Sequence, residues 1–135
     1  MSEGRPNFPF VGGPAEILLV DDEEDILPEY AEFLTNRGMT VQISSDPEQA
    51  AQLALSRPEI GVVVTDLRMA KLDGAMLIRR VRDGLPAERT IGFIIVTGDA
   101  GAKLSSHDLC ESILLKPVDP EALFDAINSK INNNN

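Results

Sequence analysis

Four short apolar runs of this sequence each lead directly to residues that can take part in phosphate chemistry. The acidic pair Asp21-Asp22 follows the first of these runs, and Asp66, Thr97 and Lys116 follow later ones. Continuous apolar runs are typical of strands buried in a parallel sheet, and the loops beyond the carboxyl ends of such strands form the ligand crevice. We therefore expect three carboxylates, one hydroxyl and one ammonium group to share a pocket.

The charges in this expected pocket indicate what it binds. Neighbouring carboxylates repel one another and resist ionisation, so a hard divalent cation is a natural partner for them. A hydroxyl group and a lysine beside that cation suit the oxygens of a phosphoryl group. The residues alone therefore predict metal-assisted phosphoryl chemistry.

The pattern around these residues alternates between strand and helix from residue 15 onward. Continuous apolar runs predict buried strands, while the alternation of apolar and polar residues over 39–43 predicts a half-exposed edge strand. This order indicates an α/β fold with a doubly wound sheet. Strands are expected at residues 16–20, 39–43, 60–64, 91–96 and 113–115, each followed by a helical segment.

Proline and capping residues predict where the helices begin. Pro28 is tolerated only in a first turn, so the first helix should start near Asp25. Asp46 should cap the second helix, with Gln49 completing a capping box. Residues 98–111 are small, polar and weakly periodic, so any helix there should be short or distorted.

Length and composition indicate a single cytoplasmic domain. The 135 residues suffice for one core, and we expect a flexible leader at 1–14, a domain at 15–130 and a disordered tail or linker start at 131–135. The net charge of -10 argues against binding of nucleic acid by this segment. Cys110 is the sole cysteine, and no apolar run approaches the ~20 residues of a membrane span.

Four motifs together resemble the receiver domain of bacterial two-component response regulators. In chain order they are LLVDDEED, VVTDLRMAKLDG, IIVTGDA and LLKPVD, and the resemblance covers roughly residues 15–130. It implies a flavodoxin-like fold, with a five-stranded parallel sheet in the order 2-1-3-4-5 and helices on both faces. It also implies a phosphorylation-dependent signalling switch that is not an enzyme, apart from transfer to itself and its own dephosphorylation.

The resemblance gives roles to the acidic residues. Asp66 would be the nucleophile that accepts a phosphoryl group from a histidine kinase or a histidine phosphotransfer protein, as an acyl phosphate. Mg²⁺ would be bound by Asp66, directly by Asp22, through water by Asp21, and by the backbone carbonyl of Arg68. Such a site, with few carboxylates and retained waters, suits Mg²⁺.

The resemblance also covers the remaining site residues. Lys116 would pair with one phosphoryl oxygen and Thr97 would hydrogen-bond another. The Lys116–Pro117 peptide bond would be cis. We further hypothesise that an ion pair between Arg68 and Asp99 partly covers the phosphoryl site and tunes its lifetime.

The chain departs from the usual family pattern at three places. Ile113 stands where family members usually carry an aromatic residue whose reorientation reports phosphorylation. The segment between Thr97 and Lys116 is shorter than usual, which predicts a pliable output face. Ala70 stands where the family usually has proline.

Two other functions remain open at this point. A degenerate receiver could act as a dimerisation or scaffold module, which Ile113 and the short segment favour and the complete acidic site opposes. A magnesium-dependent phosphohydrolase of the haloacid dehalogenase type would need Asp-x-Asp after the first strand, where this chain has Asp21-Asp22. For a receiver, the expected partners are the phosphodonor, a downstream protein or fused output domain, and a homodimer as a further option.

Overall fold

Within the described residues, which are 16–23, 27–101 and 112–133 of a computed structural model, strands and helices alternate as expected. The predicted strands are all present: β1 has the expected bounds, and the bounds of the others differ by at most two residues from the expected ones. The elements are β1 (Glu16–Val20), α1 (Leu27–Asn36), β2 (Thr40–Ser44), α2 (Pro47–Ser56), β3 (Ile60–Asp66), α3 (Gly74–Gly84), β4 (Gly92–Thr97), β5 (Ser112–Leu115) and α4 (Pro120–Asn133).

The strands form one parallel sheet in the order β2-β1-β3-β4-β5, which confirms the predicted fold class. The strand 39–43 was expected at an edge, and β2 lies at one edge. The chain runs outward from β1 to β2, then returns to β3 and proceeds in the other direction. The order therefore reverses beside β1 and β3, where a doubly wound sheet opens its ligand crevice.

Each face of the sheet is covered by helices and has its own core. Along β1, Leu18 and Val20 pack on the face covered by α2 and α3, whereas Ile17 and Leu19 pack on the face covered by α1 and α4. Successive side chains of a strand point to opposite faces. The continuous apolar run of β1 is therefore explained by burial on both sides.

The three expectations about helix starts have different outcomes. Helix α1 begins at Leu27, which places Pro28 in its first turn as predicted. Asp46 caps α2 by accepting a hydrogen bond from the Glu48 amide at 3.0 Å. The capping box with Gln49 was wrong, because the Asp46 amide donates instead to the Ser44 hydroxyl, at 3.3 Å.

The last helix is longer than the sequence indicated. Helix α4 continues to Asn133, and Ile131 is buried in the same core as Leu123 and Ile127. These residues recur at intervals of four and form one apolar stripe. The tail expected from residue 131 was therefore placed too early.

Several expectations lie outside the described residues. They concern the leader at 1–14, Asp25 as the approximate start of the first helix, and most of the segment 98–111. In the part of the chain that is described, no helix is both long and apolar enough to cross a membrane.

Candidate functional site

The carboxyl ends of four strands converge on the crevice and position the predicted side chains there. Asp21 directly follows β1, Asp66 is the last residue of β3, Thr97 is the last residue of β4, and Lys116 directly follows β5. Because the strands are parallel and in register, these residues reach the same edge of the sheet. The topology thus assembles groups that are far apart in sequence.

Three carboxylates meet at this edge. Asp21, Asp22 and Asp66 each offer an oxygen, and these oxygens all lie within 4.8 Å of one another. Asp21 and Asp66 are buried, while Asp22 is half-buried. Negative charges so close together and so poorly hydrated repel one another, and the cluster therefore favours a cation.

Lys116 supplies positive charge to the cluster. Its Nζ lies 3.4 Å from Asp21 Oδ2 and 3.3 Å from Asp66 Oδ2, and a quarter (25%) of its side chain is exposed. Its backbone amide donates to the Thr97 carbonyl oxygen at 2.8 Å, and its peptide bond to Pro117 is cis, the isomer that the resemblance implied. The ammonium group is therefore held beside the two buried carboxylates.

The pKa values of both partners respond to this arrangement. Burial raises the pKa of Asp66, and the charge of Asp21 raises it further, although Lys116 opposes both effects. Burial alone would lower the pKa of Lys116, but its interactions with Asp66 and Asp21 outweigh that effect and the net shift is upward. Lys116 is therefore protonated at neutral pH.

The site opens to solvent through a cleft. The Thr97 side chain is buried at its wall, and the hydroxyl oxygen accepts a hydrogen bond from the Asp99 amide at 3.2 Å. The cleft has a volume of about 510 Å³ and is lined by Asp22, Glu23, Asp66, Arg68, Thr97, Gly98, Asp99 and Lys116. A tetrahedral phosphoryl group has room to reach Asp66 from this side.

The hypothesised ion pair lies at the mouth of the cleft. Arg68 Nη2 is 2.8 Å from Asp99 Oδ2, with 71% of the Arg68 side chain and 46% of the Asp99 side chain exposed. An exposed pair of this kind contributes little to stability. Its position between the cleft and solvent is what gives it functional interest.

The backbone that carries Asp66 is held by residues that sequence reasoning missed. The hydroxyl of Thr65 donates to the Asp66 carbonyl oxygen at 2.8 Å, and the Gly74 amide donates to the Leu67 carbonyl oxygen at 2.8 Å. A Cβ added to Gly74 would lie only 2.5 Å from the Asp66 carbonyl oxygen. Glycine is thus required where α3 begins, and its place after Asp73 in the motif was the available signal.

Ile113, at the position usually aromatic in the family, is buried in β5. It packs in the core on the α2 and α3 side of the sheet and is paired in register with Ile95 of β4. The side chain is therefore part of the hydrophobic core.

Comparisons with known proteins agree with this geometry. The family described as the response regulator receiver domain matches residues 17–128. Among curated proteins, the transcriptional regulatory protein GlrR of Escherichia coli strain K12 is 32% identical over 87% of this chain, and that match spans 26% of GlrR. The transcriptional regulatory protein FixJ of Rhizobium meliloti is 31% identical over 82% of this chain and 54% of its own length.

Solved structures give the same result. The receiver domain of a response regulator from Clostridium thermocellum superposes with a TM-score of 0.77 at 31% identity, covering 89% of this chain and 96% of that one. This chain therefore belongs to the response regulator receiver domain family, a class of signalling switches. It spans only about a quarter (26%) of the length of GlrR.

Proposed function

We propose that this receiver domain is a phosphorylation-dependent switch whose phosphoacceptor is Asp66. The main support is the position of the Asp66 carboxylate, which faces the cleft beside Asp21, Asp22 and Lys116. The phosphodonor would be the phosphohistidine of a histidine kinase or of a histidine phosphotransfer protein.

The proposed transfer is a substitution at phosphorus. A carboxylate oxygen of Asp66 attacks the phosphorus atom, and the bond from phosphorus to the donor's imidazole nitrogen breaks. The nitrogen keeps the electron pair of that bond, and Asp66 becomes an acyl phosphate. Lys116, protonated as its raised pKa requires, pairs with one phosphoryl oxygen, while the Thr97 hydroxyl donates to another.

The acidic cluster fits Mg²⁺ by the chemistry of its donors. Asp21, Asp22 and Asp66 present hard carboxylate oxygens, two of them on buried side chains, and the Arg68 backbone carbonyl is proposed as a further ligand. When bound, Mg²⁺ would offset the negative charge that the carboxylates and the phosphoryl group bring together. Asp21 would act through a water molecule.

The switch would end by hydrolysis of the acyl phosphate. Water attacks phosphorus, the bond between phosphorus and the Asp66 oxygen breaks, and inorganic phosphate leaves. Because the chain acts only on itself, it is proposed as a switch and not as an enzyme with turnover.

We propose that the domain is cytoplasmic and that it neither binds nucleic acid nor inserts into a membrane. It would signal to a downstream protein, to a fused output domain or to a second copy of the chain.

Phosphorylation by a small donor tests this function. The chain is incubated with acetyl phosphate in Mg²⁺ or in a chelator, and its intact mass is measured. We expect gain of one phosphoryl group in Mg²⁺ only, and none in Asp66→Asn. A wild-type chain that gains no mass would favour the scaffold alternative, whereas continuous turnover of a generic phosphate ester would favour the phosphohydrolase.

Mg²⁺ should stabilise the folded chain, and Asp22→Ala should remove this effect. A ligand that binds only the folded state adds about 1.4 kcal/mol to the free energy of unfolding at about ten times its Kd. Melting temperatures with and without Mg²⁺ measure the effect. Glu23→Ala is the control, because Glu23 lines the cleft but is outside the three-carboxylate cluster. If the melting temperature of the wild type does not change on addition of millimolar Mg²⁺, this result would count against the metal site.

Loss of the ion pair at the cleft mouth should shorten the life of the acyl phosphate. We expect Arg68→Ala and Asp99→Ala each to dephosphorylate severalfold faster, because water then reaches phosphorus more freely. Decay of the phosphorylated mass after removal of donor measures the rate. Lys71→Ala is a matched control, since Lys71 is also exposed and lies in the same loop, where it pairs with Asp46. Unchanged rates in both variants would reject the role of the pair.

A further inference from the structure

One hydrogen bond joins the two loops that carry the acidic cluster. The backbone N–H of Ala70, in the loop after β3, donates to Asp22 Oδ2 at 2.9 Å. The two residues are 48 positions apart in sequence. The bond therefore depends on the folded arrangement of the sheet edge.

This bond fixes the orientation of Asp22. While it accepts from Ala70, the Asp22 carboxylate offers an oxygen that lies within 4.8 Å of oxygens of Asp21 and Asp66. A carboxylate has several lone pairs, so accepting one N–H leaves capacity for a cation. A free aspartate would rotate away from its negative neighbours, and the Ala70 amide opposes that rotation.

The donor exists because residue 70 is alanine. Proline, the residue that the family usually has at this position, carries no backbone N–H and could not form this bond. This departure from the family pattern therefore adds a hydrogen-bond donor to the acidic site.

We propose that the Ala70 amide is a positioning group that holds Asp22 ready for Mg²⁺ and so raises the affinity of the cluster for the cation. Side-chain ordering that is completed on folding no longer opposes binding, which is the general effect of preorganisation. The inference rests on the proposed function, because it takes the acidic cluster to be a Mg²⁺ site.

The sharpest test removes only the N–H. An ester replaces the peptide bond between Met69 and Ala70 in the full chain, and calorimetric titration with Mg²⁺ alone gives the Kd. We expect Kd to rise about fivefold, the factor for a hydrogen bond of ordinary net strength. An ester in place of the bond between Ala70 and Lys71 is the matched control and should leave Kd unchanged.

Two ordinary substitutions repeat the test without synthesis. Ala70→Pro removes the donor and should weaken Mg²⁺ binding to a similar degree, whereas Ala70→Gly keeps the donor and should not. Thermal melting in chelator establishes that each variant is folded. An ester at the Met69–Ala70 bond that binds Mg²⁺ as tightly as the wild type would overturn the inference alone. A wild type that binds no Mg²⁺ would overturn the proposed function as well.

Discussion

Lys116→Met is expected to destabilise the Mg²⁺-free chain by about 1–3 kcal/mol. The substitution leaves the buried carboxylates of Asp21 and Asp66 without the ammonium group that now lies 3.4 Å and 3.3 Å from them. Loss of one member of a fully buried pair costs about 3–5 kcal/mol, and partial exposure of the lysine reduces that figure. Urea unfolding in chelator measures the difference.

Mg²⁺ and two control variants separate charge compensation from packing. Saturating Mg²⁺ should recover most of the loss in Lys116→Met, because the cation replaces the missing positive charge, and Lys116→Arg should lose less than Lys116→Met. Lys71→Met removes an exposed lysine whose Nζ lies 3.8 Å from Asp46 Oδ2. This substitution should change the free energy of unfolding by about 0.5 kcal/mol or less. Equal stability of Lys116→Met and wild type in chelator would show that the carboxylates need no partner.

Asp66→Asn is expected to have the opposite effect and to stabilise the Mg²⁺-free chain at neutral pH, by an amount on the order of 1 kcal/mol. The pKa of Asp66 is raised above its usual 3.8, chiefly by burial and then by the charge of Asp21. A neutral amide of similar shape avoids both penalties. Abolished phosphorylation together with increased stability would distinguish a functional residue from a structural one.

The pH dependence of this gain has a definite sign. Because the pKa is raised on folding, the folded state holds the Asp66 proton more tightly than the unfolded state does. Ionisation of Asp66 therefore costs no stability below the unfolded pKa, and its full cost appears above the folded pKa. The extra stability of Asp66→Asn over the wild type should grow as the pH rises through this window and vanish at lower pH. A stability difference between Asp66→Asn and the wild type that does not change with pH would contradict the assignment.

The strands and the start of α2 were predictable because their signals are local. Apolar runs such as Glu16–Val20 mark strands buried on both faces, and Asp46 marks a helix start. Strand order and the cis bond at Pro117 were not readable from these signals and came from the motifs. The end of α4 was placed too early because residues 132–135 are all asparagine, and the burial of Ile131 depends on tertiary packing that no local signal shows.

The site was predictable as a set of side chains but not as a network. Residue types and strand ends pointed to Asp66 and Lys116, and the motif spacing pointed to Arg68 and Asp99. The sequence does not show which backbone N–H groups donate to which side chains. The bond from the Ala70 amide to Asp22 therefore became visible only once the two loops were placed side by side.

Chemical trapping of the modified residue shows directly whether Asp66 is the phosphoacceptor. After treatment with acetyl phosphate and Mg²⁺, borohydride reduces an acyl phosphate of aspartate to homoserine, which peptide mass spectrometry locates in the chain. We expect homoserine at position 66 and at no other aspartate, with none formed in chelator. Trapping at Asp21 or Asp22, or a stable phosphate that borohydride leaves intact, would contradict it.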